Sequence, residues 1–91
     1  MTNKQLFSDY ILITPVELPH DDEFELWATV FLHNDLISAL EFEQGADRHL
    51  MRFKFNNHSF NLNYEHYSQS IWINSDSTQD LELLSLLFSS L

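Results

Sequence analysis

The chain has 91 residues, with 14 Asp and Glu against four Lys and Arg, a formal charge of −10 and no cysteine. That length suits one compact domain, residues 1–91, burying about 60–65% of its unfolded surface. The missing thiols exclude disulfides, thiol nucleophiles and Cys-containing zinc sites, and the acidic balance repels phosphate backbones, which speaks against nucleic acid.

The opening MTNKQLFSDYILITP has one Lys and a short apolar run broken by Pro15, which is not a signal peptide. No run reaches the roughly 18 apolar residues of a membrane span, so a cytoplasmic protein without membrane partners is expected. Tyr10 to Ile13 are apolar at every position, as in a central strand. Next, PHDDEFELWATVFLHND fits two periods. Phe24, Trp27, Ala28 and Phe31 follow helical spacing, whereas Phe24, Leu26, Ala28, Val30 and Leu32 alternate. Pro19 followed by Asp21 and Asp22 resembles a helix start with anions at its positive end, which favours helix over 22–34.

From residue 37 the alternation is plainer. ISALEFEQGADRHLMRFKFNNHSFNLNY reads as three antiparallel strands with turns at 45–48 and 56–57. Pairing Phe55 with His58 sets Phe53 against Phe60 and Met51 against Leu62. Pairing Phe42 with Met51 sets Leu40 against Phe53. One face is then Leu40, Phe42, Met51, Phe53, Phe55, Phe60, Leu62 and Tyr64. The other is Glu41, Glu43, Arg52, Lys54, Ser59, Asn61 and Asn63, with Glu41 across from Arg52. A slip of one residue would undo this burial. SIWIN continues the run as a fourth strand. The closing segment SDSTQDLELLSLLFSSL reads as a helix with a capping box at Ser77 and Asp80 and a stripe of Leu81, Leu84, Phe88 and Leu91, widened by Leu83 and Leu87. The fold expected is α+β, in the order β-α-β-β-β-β-α, with four to five antiparallel strands and two helices on one face.

The five histidines raise the question of metal or catalysis. His58 at the Asn turn lies about 20 Å along the strands from His49, and His66, in the turn EHYSQ, is placed to reach neither. No His-x₃-His, nucleophile elbow or glycine-rich phosphate loop occurs, so the histidines read as solvated turn and cap residues, with no catalytic residue and no cofactor. Asp21, Asp22, Glu23 and Glu25 could hold a hard cation loosely, or could simply complement a helix dipole. Trp72, between Ile71 and Ile73, points to the face of Arg52, Asn61 and Asn63. It serves there as a contact point for a protein partner or for self-association, or it lies under the N-terminal segment or Arg52.

The run ADRHLMRFKFNNHSFNLNYEHYSQSIWINS with its leucine-rich closing helix resembles a family of short, uncharacterised gammaproteobacterial proteins of unknown function. A resemblance of shape to frataxin rests on the acidic helix before a sheet and on Gln69, Ile71, Trp72 and Ile73. It implies that Asp21, Asp22, Glu23 and Glu25 match an iron-binding acidic helix, and Trp72 a sheet tryptophan that meets partners. This chain, however, begins with an extra strand and lacks two that frataxin places before its last helix. The leading reading is a small acidic protein-interaction module without catalysis; the alternative is a frataxin-like metal-responsive binding protein.

Overall fold

Alternating apolar residues from residue 48 onward meet across the ladders of one antiparallel sheet in the computed structural model, which describes residues 2–76 and 81–91 apart from the Leu81 side chain. The strands are β1 (Asn3–Leu6), β2 (Tyr10–Thr14), β3 (Ile37–Gln44), β4 (Arg48–Phe55), β5 (His58–Glu65) and β6 (Ser70–Ser75). A 3-10 turn at Asp21–Glu23 leads into α1 (Phe24–Phe31), and α2 spans Leu81–Ser90. The sheet order is β1-β2-β6-β5-β4-β3. After β2, the chain crosses through α1 to the far edge and returns strand by strand until β6 pairs with β2. The α+β class holds, but the sheet has six strands rather than four to five.

The extra strand is β1, whose sequence NKQL has one apolar residue. Lys4 pairs with Ile13 and so lies on the inner face. Its Nζ donates to the Leu91 carbonyl at 2.6 Å and the Phe88 carbonyl at 3.3 Å, and sits 5.1 Å from the Phe88 ring centroid. Asn34 Nδ2 donates to the Ser90 carbonyl at 2.8 Å. The last carbonyls of α2, which no helical N–H can reach, therefore find a cation and an amide. A polar strand earns its place by capping a helix.

The inner face carries Ile11, Ile13, Met51, Phe53, Phe55, Phe60, Leu62, Tyr64, Ile71 and Ile73, all buried. Phe24, Ala28 and Leu32 close it from the α1 side, and Leu84 and Leu87 from α2. Leu83, Phe88 and Leu91 pack half-buried around them. The Ser77–Asp80 capping box and the Leu81 side chain lie outside the described residues.

Phe55 pairs with His58, Phe53 with Phe60, Met51 with Leu62, Phe42 with Met51, and Glu41 with Arg52, as the alternation required. Between β4 and β5, Asn56 and Asn57 take φ of 54° and 66°, the left-handed pair a two-residue hairpin needs and that Asn tolerates. Leu40 departs from the expectation. The ladder jumps from Ser38–Lys54 to Glu41–Arg52, so Ala39 and Leu40 share the place opposite Phe53 in a bulge, with Ala39 at φ 56°. Leu40 is 37% exposed, and Ile37, opposite Phe55, packs against the core from β3.

Candidate functional site

Both helices pack on the inner face, and among the described residues no helix covers the other. A cross-strand row runs the width of that outer face: Gln5, Leu12, Trp72, Asn63, Leu50 and Glu43. Leu12, Trp72 and Leu50 are half-buried. Beside it run Tyr10, Asn74, Asn61, Arg52 and Glu41.

Strand alternation brings Trp72, Arg52, Asn61 and Asn63 to this face, but they do not play equal parts. Asn63 is 6% exposed, and its Nδ2 donates to Asn74 Oδ1 at 3.1 Å and to the Trp72 and Asn61 carbonyls at 3.3 Å. Asn61 Nδ2 donates to Asp76 Oδ1 at 2.7 Å. Both amides therefore hold the strands under Trp72 and offer little to solvent. Arg52 reaches Glu43 at 3.8 Å, and the cation over the Trp72 ring is Arg48, 5.9 Å from the centroid. Arg48 was not singled out from sequence, although its alternation with Leu50 and Arg52 puts it on this face.

A second constellation lies at the inner face, under the acidic turn. His49 is 3% exposed, flanked by Phe24 with ring centroids 6.0 Å apart and by Phe42 at 5.6 Å. Its Nδ1 lies 2.6 Å from His66 Nε2, and His66 Nδ1 lies 2.7 Å from Asp21 Oδ1. Two expectations are thus corrected: His49 is not a solvated turn residue, and His66 does reach it. The register explains both. His49 is in phase with Met51, Phe53 and Phe55, and His66 with Phe60, Leu62 and Tyr64. The β4–β5 pairing extends past Arg48–Glu65 through the His66 N–H to Asp47 carbonyl bond of 3.1 Å, making His66 the diagonal neighbour of His49. Tyr64 completes the surround, donating to the Pro19 carbonyl at 3.0 Å.

Burial lowers the His49 pKa from the ordinary 6.5, and His66 lowers it further against the opposing pull of Asp21. Burial, then Asp21, raises that of Tyr64. Two imidazole nitrogens bound to one tetrahedral zinc would sit about 3.3 Å apart, so a 2.6 Å pair is a shared hydrogen bond. The chemistry on offer is proton binding.

The four acids proposed for a cation do not converge. Asp21 is engaged by His66, and Glu23 Oε1 accepts the His20 backbone N–H at 3.1 Å. Among the described residues, no group of three or more His, Asp or Glu is arranged to hold a metal ion. Likewise, no described helix is long and apolar enough to cross a membrane.

Fold and contacts together define a small acidic α+β domain with one sheet face that no described helix covers. A family model described as a protein of unknown function, DUF3630, matches residues 3–91, and the chain belongs to that family. No curated protein and no solved structure matches it, so the frataxin resemblance finds no support there.

Proposed function

We propose that the protein is a small cytoplasmic protein-interaction module without catalytic activity, making its contact through the outer sheet face around Trp72. The observation that carries this reading is the outer-face row Leu12–Trp72–Asn63–Leu50, in which the three apolar side chains are half-buried and no described helix covers them, with the Arg48 guanidinium over the indole. A tryptophan flanked by arginine on a rigid support is the composition of an interface hot spot. Asn61, Asn63 and Asn74 fix the strands beneath it, so little order is lost when a partner docks. Arg48, Arg52 and Lys54, three of the chain's four Lys and Arg, point outward from β4. Glu41 and Glu43 share the face with them, so it presents both signs of charge, which suits a partner protein or a second copy over the uniformly anionic backbone of nucleic acid.

The test compares the native chain with Trp72→Ala, Arg48→Ala and, as a distant control, Leu26→Ser. Sedimentation over a concentration series reads self-association; quantitative capture from source-cell extract, followed by reconstitution with the purified captured protein, reads a partner. Association that survives Leu26→Ser and falls in both outer-face variants supports the reading. Association equal in all four chains, or lost only in Leu26→Ser, contradicts it.

A further inference from the structure

The Asp21–His66–His49 chain joins three parts of the fold distant in sequence: the turn before α1, the end of the β5 hairpin and the buried start of β4. Its geometry limits the protons it can hold. Asp21 accepts from His66 Nδ1, so that nitrogen carries hydrogen while the carboxylate is ionised. Between the rings, at 2.6 Å, there is room for one hydrogen. With the pair neutral, His49 Nδ1–H donates to His66 Nε2. With one added proton, taken up at His49 Nε2 as the shared hydrogen passes across, His66 becomes the imidazolium and its Nε2–H donates to His49 Nδ1. Both states keep the His66–His49 and His66–Asp21 hydrogen bonds. A second proton puts N–H against N–H, and two like charges face each other in an apolar surround.

We propose that this chain is a proton-operated latch, closed with no or one added proton on the histidine pair and opened by a second, which frees the turn at 20–23 and the start of α1 from the sheet. Among the described residues, the titratable groups facing the pair are Asp21 from the turn and the Tyr64 phenol from β5; α1 and β3 present Phe24 and Phe42. Asp21 steadies the first proton on His66. Beside His49 stand aromatic rings, and the Asp21 carboxylate reaches it only across the His66 ring, so the second proton enters the site without a counter-charge in direct contact. Once the rings part, Phe24 loses the His49 edge contact but keeps those to Tyr64 and Phe42, and the Tyr64–Pro19 bond still ties the preceding segment to the sheet. The apolar packing of α2 on β2 and β6 does not involve these groups, so the opening is local. The latch is independent of the contact face proposed above.

The experiment follows imidazole nitrogen shifts and amide exchange by NMR from pH 8 to 4. In the native chain, His49 should protonate only below the ordinary 6.5. As His49 protonates, amide protection over residues 22–27 should fall by about tenfold or more while β2 and β6 keep theirs. His49→Phe removes the second site and should abolish that acid step; His66→Gln, at the more accessible ring, serves if the first variant does not fold, and should give a His49 that titrates as a single site. Independent titration of both rings near 6.5 with unchanged protection overturns the latch, as does the same acid opening in either variant.

Discussion

Phe53 and Leu40 separate the observed bulge from the regular ladder that alternation alone would give. In a regular ladder both would be buried partners, and both truncations would be costly. In the bulged sheet, Phe53 is 1% exposed, stacked on Phe60 at 5.9 Å, whereas Leu40 shares the opposing place with Ala39 and faces solvent. Phe53→Ala removes a fully buried ring beneath two helices and should cost about 3–5 kcal/mol. A chain this size has about 5–14 kcal/mol in total. With an m of ~1.5 kcal/mol/M, the urea midpoint should fall by ~2–3 M. Leu40→Ala should cost under about 1 kcal/mol, a shift below ~0.7 M. Both are read by equilibrium urea unfolding followed by circular dichroism. Equal shifts for the two variants would refute the bulge, and a small shift for Phe53→Ala would refute the register itself.

Three further outcomes are expected. Because the folded-state pKa of His49 is depressed, the unfolded chain binds more protons just below 6.5; stability should therefore fall as pH drops from 6.5 toward the folded value, by at most about 1.4 kcal/mol per unit from this group, and His49→Phe should remove that slope in urea midpoints taken between pH 7.5 and 5. Lys4→Ala should cost about 1–2 kcal/mol by the same assay and speed amide exchange in the last turn of α2, since it strips the cation from the Phe88 and Leu91 carbonyls; unchanged exchange there would contradict the cap. Gln69 takes φ 54° in the β5–β6 turn, so Gln69→Gly should raise stability by up to about 1 kcal/mol, and a loss would contradict that backbone.

The alternation of residues 42–64 was enough to pair β4 with both neighbours, because one buried face makes a slip costly. It was not enough at Leu40. Nothing in SALEF distinguishes a bulge from a regular strand, and the usual glycine signal is absent where Ala39 takes the left-handed backbone. β1 was illegible for a related reason: Lys4 faces inward to meet helix carbonyls, a partnership written 84 and 87 residues away. His49 was legible in phase but read by chemistry, since a histidine among Met51, Phe53 and Phe55 looks polar before it looks buried. Its contact with His66 follows from the extended register; that of Asp21 does not, because it depends on where the turn before α1 lands on the sheet. On the outer face, phase placed Trp72 correctly, while Arg48 rather than Arg52 stacks on it.

If Trp72 serves contact more than folding, the urea midpoint and the association constant of Trp72→Ala, taken on the same protein, will shift by unequal amounts. Half-buried on the helix-free face, the indole should contribute about 1–2 kcal/mol to folding, well short of the 3–5 kcal/mol of a core aromatic. Its loss should weaken self-association or binding to the captured partner by about 30-fold or more, on the order of 2 kcal/mol. A variant that loses 3–5 kcal/mol of stability, or that associates as tightly as the native chain, would contradict the account.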